Sequence, residues 1–321
     1  MTADEIHTCP RCELRFARLV ELHDHLETEH PVAPEPETSA PAGRGVITVP
    51  LDPDRPPPVT LPIATVLALQ TGLALDLVSA PGAALASGTD AFLRARVRNL
   101  VADGVARVSW TVLDSPNAAS GILGHLDDRG SELVCMATRS SHGLGHLVFG
   151  SVAETLARRA TVPVLLAGPR AVRPTGPYHR VVACVDGSEP SERALIAAER
   201  LASVLGADLH LVEVVDPAVD LREDLMESVA LQRSAQSLKV PPVGAEVLYN
   251  RQAERAIVDF LRDDPQAIVV AGTHGRTGIR SALLGSVALG VVAGAVGPVL
   301  VVPPDATVRS FLDGNHWASA R

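Results

Sequence analysis

The chain has 321 residues, 46% of them apolar and 20% charged, which excludes disorder as the whole answer and allows two domains with a small extra module. With 28 basic against 37 acidic residues its net charge is −9, the wrong sign for a general nucleic-acid binder. Lys239 is the sole lysine, so a Walker-type Gly-Lys-Ser/Thr phosphate loop is excluded, and aromatics at 3% leave a core of Ala, Val and Leu.

The charge is concentrated at the start. Residues 1–43 hold nine acidic and three basic side chains, and the remaining 278 residues are nearly balanced. Within this stretch runs Cys9-x2-Cys12-x12-His25-x4-His30, with Phe16 and Leu22 as the seed of a miniature core. Two thiolates and two imidazoles at these intervals suit tetrahedral zinc. Residues 7–30 resemble a two-cysteine, two-histidine zinc finger, which predicts a ββα module over residues 1–30 whose folding needs the metal. The helix positions from which such fingers read bases hold Arg18, Glu21 and Asp24. Two carboxylates there repel phosphate, so a protein contact or a structural role is expected of the finger, and DNA binding is not. Pro31–Pro41 contains four prolines and marks an extended linker over residues 31–43. The four cysteines do not make a disulfide scaffold, and no basic-then-apolar leader opens the chain, so a soluble cytoplasmic protein is expected.

The rest of the chain is one unit written twice. Phe149-Gly-Ser-Val-Ala-Glu-Thr-Leu returns as Leu284-Gly-Ser-Val-Ala-Leu-Gly-Val at an offset of 135, and Val46–Asp52 returns as Val181–Asp186 at 134. Repeats over 44–170 and 178–304 follow, joined by Arg170–Pro177 and trailed by a tail over 305–321. Repeats of this length are duplicated domains rather than solenoid units.

In the second copy the pattern predicts strands over Arg180–Val185, Asp208–Val215, Glu246–Tyr249, Ala267–Ala271 and Val299–Val302, with helices over Ser191–Leu205 and Glu254–Arg262. Continuously apolar strands fit burial on both faces, and strand–helix alternation predicts two doubly wound parallel α/β sheets. Residues 281–302 carry no charge, long enough to suggest a membrane span. Pro298, the glycines, and the charged Glu154, Arg158 and Arg159 at the matching positions of the first copy argue against one. They suggest instead a helix face covered by other protein, such as a partner chain.

After the strand ending at Ala271 come Gly272-Thr-His-Gly275, nine residues, and then Gly285-Ser286. Glycines let backbone N–H groups approach an anion, successive N–H groups form an anion nest, and Ser286 opens a helix whose first N–H groups favour phosphate. Asp186 ends the first strand at the same edge, where a carboxylate suits a ribose hydroxyl or a metal bridging phosphates. Gly-x2-Gly-x9-Gly-Ser, the following helix, the Pro-Val-Leu-Val-Val strand and Asp186-Gly-Ser together resemble the ATP-binding universal stress protein family, over nearly all of residues 44–304. The resemblance implies that Gly272, Gly275, Gly285 and Ser286 hold the triphosphate of ATP, with or without Mg. It also implies that Asp186 meets the ribose, that Val214 lies by adenine, and that Val287 adds a backbone contact. His274 and Arg276 flank the loop.

The first copy departs from this pattern. Its corresponding residues are Asp52, Ser140, Gly150 and Ser151, with Ala137 and Ser140 in place of the two early glycines and a stiff Pro56–Pro58 run after Asp52. Nucleotide binding is therefore expected mainly in the second repeat. The resemblance further implies pairing of the two repeats through their last strands, with homodimer formation left open. The function expected is a cytoplasmic stress-response module that binds ATP and regulates, rather than an enzyme. The alternatives are a slow ATPase on the same site and a DNA-binding regulator that uses the finger.

Overall fold

The computed structural model describes residues 7–8, 14–16, 45–54, 59–80, 86–138, 150–218, 231–232, 234–236, 238–239, 241–273 and 284–308. The chain divides into two compact units, Met1–Thr38 and Ser39–Arg321, the division falling inside the proline-rich linker. In the first unit β1 (His7–Thr8) pairs antiparallel with β2 (Arg15–Phe16), His7 opposite Phe16. These strands bracket Cys9 and Cys12 in the chain. Cys9, Cys12, His25 and His30 themselves lie outside the described residues.

The second unit holds both repeats. The first runs β3 (Val46–Pro50), α1 (Thr60–Thr71), β4 (Ala74–Ser79), α2 (Ala86–Ala102), β5 (Val108–Val112), α3 (Ala118–Arg129), β6 (Ser131–Ala137), α4 (Ser151–Arg159) and β7 (Val164–Ala167). The second runs β8 (Arg180–Cys184), α5 (Glu189–Leu205), β9 (Asp208–Val215), β10 (Gly244–Tyr249), α6 (Ala253–Phe260), β11 (Ala267–Gly272), α7 (Ser286–Gly294) and β12 (Val299–Val302). Local chemistry sets several boundaries. Ser188 caps α5, Pro190 occupies its first turn, where a missing N–H costs nothing, and Gly206 at φ 63° ends it. Asn117 caps α3 by accepting the Ser120 N–H at 3.0 Å.

Ten strands form one sheet in the order β10-β9-β8-β11-β12-β7-β6-β3-β4-β5. Each half is parallel, and the strand order within each half is the same. The halves join where β12 meets β7 antiparallel, with Val164 opposite Val301, Leu165 opposite Leu300 and Leu166 opposite Val299. Because Leu165 and Leu300 are equivalent in the duplication, this is a self-complementary seam about a local two-fold axis, as in an isologous interface. The core lies in two layers, one on each face of the sheet, and both layers run through both repeats. One holds Leu67, Leu165, Leu201 and Leu300, the other Leu156, Val164, Val292 and Val301.

The connection between the repeats is held on both sides. The Gln70 side-chain amide donates to the Tyr178 carbonyl at 3.0 Å and accepts the Tyr178 N–H at 2.7 Å. The Val172 N–H donates to the Val296 carbonyl at 3.0 Å. Gly168 passes so close to α7 that any side chain would overlap the Val292 carbonyl oxygen. Since the obstacle is backbone, Gly168→Ala should destabilise the unit by about 1–3 kcal/mol. Thermal denaturation should therefore show a midpoint lowered by several degrees, and an unchanged midpoint would contradict this packing.

Two expectations are corrected. β10 is not buried on both faces: it is an edge strand, and Ala245, Glu246 and Tyr249 are exposed. The helix after β8 begins at Glu189 rather than Ser191, because Ser188 is the capping residue. The uncharged segment 281–302 contains α7 and β12, and α6 of the same repeat packs against α7. A methyl group at Gly290 would lie 2.6 Å from Glu254 Cβ, and one at Gly294 would lie 2.7 Å from Val258 Cγ2, so these glycines admit α6 closely. No helix among the described residues is long and apolar enough to cross a membrane.

Candidate functional site

The strand order reverses between β8 and β11 in the second repeat, and it is beyond the carboxyl ends at such a switch point that doubly wound sheets take ligands. Registers Ala183↔Val270 and Cys184↔Val212 bring Asp186, Thr273 and Val214 to one level of the sheet edge. Val214, partly buried, packs into the core layer shared with α6 and α7.

Asp186 is half-buried, and its Oδ1 accepts the Ser188 N–H at 3.0 Å and the Ser188 hydroxyl at 2.6 Å. Gly187, at φ 74°, makes the turn that brings Ser188 back onto the carboxylate. Two residues before Asp186, desolvation, reinforced by the Asp186 charge, pushes the Cys184 thiol up to about 12, which disfavours the thiolate near neutral pH.

Gly272 ends β11 where α5 begins. A Cβ there would stand 2.8 Å from the Pro190 carbonyl oxygen, so this glycine is required by the fold itself as well as by any anion. Thr273 is buried, and its carbonyl accepts the Gly285 N–H at 2.6 Å. Gly285 therefore anchors the return of the loop with its N–H instead of offering that group to a ligand. It is the N-cap of α7, at φ −56° and ψ 147°, and no side chain caps the helix. The first-turn N–H groups of α7, which have no helical partner, begin at Ser286 and Val287, both exposed, with no acidic residue in that turn. Gly275, His274 and Arg276 lie outside the described residues.

The first repeat brings Asp52 and the Gly150–Ser151 helix start to its own switch point, between β3 and β6. Ser140 lies outside the described residues. Three differences weaken it as an anion site. Its α1 begins eight residues after Asp52, whereas α5 begins three after Asp186, and the cap of α1 is Val59, with no side-chain bond. Among the described residues Asp52 Oδ1 accepts one backbone N–H, from Asp54 at 3.1 Å. Glu154 stands in the first turn of α4 and already complements the helix dipole. Beside Ser151 a groove of about 450 Å³ is bordered by Asn117, Ser120, Thr155 and Arg159.

Among the described residues no three His, Cys, Asp or Glu side chains come together to hold a metal. Ser188 and Pro190 are the site-forming residues that sequence reasoning did not single out. Ser188 was visible only as part of Asp186-Gly-Ser, and the contact of Pro190 with Gly272 is long-range.

Fold and edge thus define a doubly wound α/β protein of duplicated design with an anion-favouring helix start at one switch point. The universal stress protein family model matches residues 51–168 and 177–303, and the chain belongs to that family. It is 32% identical over 184 residues to a universal stress protein of Mycobacterium tuberculosis (strain ATCC 25618 / H37Rv), a match covering 53% of this chain and 61% of that protein. The chain therefore spans about three fifths of the length of that relative. A universal stress protein structure from Pseudomonas aeruginosa UCBPP-PA14 superposes with a TM-score of 0.63 at 21% identity, covering 84% of this chain and 97% of that one. A smaller family structure, from Archaeoglobus fulgidus, is in complex with dAMP. It covers 39% of this chain and 97% of its own, at 26% identity and a TM-score of 0.31.

Proposed function

We propose that this chain is a stress-response regulatory module of the cytoplasm that binds ATP at the carboxyl edge of its second repeat. The observation that carries the reading is the α7 N-terminus, which among the described residues has no side-chain cap and no acidic residue in its first turn, at the same edge as Asp186. Backbone N–H groups and the Ser286 hydroxyl take the phosphates, and Asp186 takes the ribose or a phosphate-bound Mg. Val214 borders the base, and Gly272 and Gly275 help to hold the triphosphate. ATP acts by favouring the conformation that binds it more tightly. The N-terminal module binds one zinc through Cys9, Cys12, His25 and His30 and contacts a protein partner. The β1–β2 hairpin supports that reading.

Native mass spectrometry of the purified full chain tests both parts. The expected masses are those of one zinc and one ATP per chain, zinc being lost in Cys12→Ser and ATP retained there. A chain that takes up no ATP at millimolar concentration, or that carries zinc undiminished in Cys12→Ser, would sink the corresponding part. Steady-state hydrolysis of the bound ATP would favour the slow ATPase instead.

A further inference from the structure

We infer that a trough between α1 and α2 of the first repeat binds a straight-chain carboxylate, its apolar chain laid along α1 and its head group met by Arg96 and Arg173. None of its lining residues belongs to the second-repeat site, and nothing in it depends on the nucleotide reading. The trough holds about 570 Å³, within the range of small-molecule sites. Leu61, Val66 and Leu69 line it from α1, Phe92 and Arg96 from α2, and Arg173 from the connection between the repeats. From Leu61 to Leu69 the α1 wall runs about 12 Å along the helix, which suits an extended chain better than a compact ring.

The duplication supplies a control for this face. Gly72 and Gly206, at φ 66° and 63°, end α1 and α5 at equivalent points of the two copies. Counted back from them, Thr65, Val66 and Leu69 correspond to Glu199, Arg200 and Ser203. In the second repeat, then, the face is polar, and the chain itself lies over it. Glu199 accepts the Lys239 N–H, while Leu231, Ala235 and Leu238 pack into the core layer beneath. In the first repeat those charges are gone and Leu69 is 53% exposed. The rim decides the head group. Half-buried Arg96 lies over the Phe92 ring at 5.0 Å, and among the described residues neither it nor Arg173 is paired with a carboxylate. Asp103 is the sole acid among the described lining residues, so the rim is positive on balance. Guanidinium forks match a carboxylate, and the leucine and valine wall takes the chain out of water.

The test is calorimetry of the full chain with decanoate, hexanoate and decylammonium. Decanoate should occupy one site per chain and bind at least about tenfold more tightly than hexanoate, since each buried methylene is worth about threefold. Decylammonium has the same chain and the opposite charge, and should bind at least about tenfold more weakly than decanoate. Arg173→Gln, at an exposed position, should weaken decanoate about tenfold. Val66→Arg with Leu69→Ser installs the second repeat's own residues on α1 and should abolish decanoate binding at an unchanged melting temperature. If that double variant melts lower, Arg173→Gln alone carries the test. A wild type that does not bind decanoate, or that binds decylammonium as tightly, overturns the inference. So does decanoate binding undiminished in Arg173→Gln or in the folded double variant. Sedimentation velocity supplies the last outcome: a wild-type dimer that binds no decanoate and that the double variant dissociates assigns the face to a second copy instead. Each of these results leaves ATP binding in the second repeat standing.

Discussion

Ser286→Pro should fold normally and lose most of its affinity for ATP. Ser286 is the first residue of α7, where proline is favoured because the N–H it lacks has no helical partner. The preceding residue, Gly285, already has the extended φ −56° and ψ 147° that a following proline demands. The substitution therefore removes one N–H donor and one hydroxyl from the helix start at little conformational cost. Hydrogen bonds to a charged group contribute about 1.5–3 kcal/mol each. Loss of two should weaken ATP binding by at least about a hundredfold, measured by calorimetry beside an unchanged thermal midpoint. This is a cleaner probe than Gly272→Ala, whose new methyl would meet the Pro190 carbonyl and disturb the fold first. Unchanged affinity would remove the helix start from the binding site.

Arg129→Met should cost about 3–5 kcal/mol, because it leaves a buried carboxylate short of its main counter-charge. Asp76, in the middle of β4, is fully buried. It accepts from Ser109 Oγ at 2.6 Å and from Arg129 at 3.1 and 3.3 Å, and it bonds His125 Nε2 at 2.6 Å. Burial pushes the Asp76 carboxyl up, but the hydrogen bonds from His125, Ser109 and Arg129 and the Arg129 charge outweigh it, holding the group below its ordinary 3.8. The unfolded chain therefore binds the Asp76 proton first as acid is added. The stabilisation is complete above about pH 4 and is lost as pH falls through the lowered folded value. Denaturant melts from pH 7 to pH 2 should record that loss, and Arg129→Met should reduce it. Asp76→Asn in the Arg129→Met background should recover part of the stability, the coupling expected of groups in one network. In the second repeat the equivalent position is His210, whose burial and neighbouring Arg180 favour the neutral ring. Protonating it adds a milder loss as pH falls below 6.5.

Much of this was legible in the residues, and the reason is that duplication and glycine spacing are local signals. The repeat offset, the α/β alternation, and the ends of β9 and β12 follow from apolar runs and punctuation alone. Asp186, Gly272, Gly285 and Ser286 could also be placed at one edge from the sequence, because strand ends and helix starts are marked by particular residue types in order. Spacing along the chain does not report which backbone groups are already engaged. The Gly285 N–H is given to Thr273, and Gly272 is dictated as much by Pro190 as by any ligand. The Asp76–Ser109–His125–Arg129 network was invisible for the same reason: Asp76 lies on β4, Ser109 on β5 and His125 and Arg129 on α3, and only the pairing of β4 with β5 and the packing of α3 bring them together. Likewise the uncharged α7 read as a face covered by other protein, and only the structure shows that Gly290 and Gly294 admit α6 of the same repeat onto it. What the sequence determined by itself is the duplicated doubly wound fold and the chemistry of the residues at one switch point, since both are set by short-range patterns. What only the tertiary structure decided is which donors and faces remain available, since that depends on long-range contacts that close some groups and leave others open.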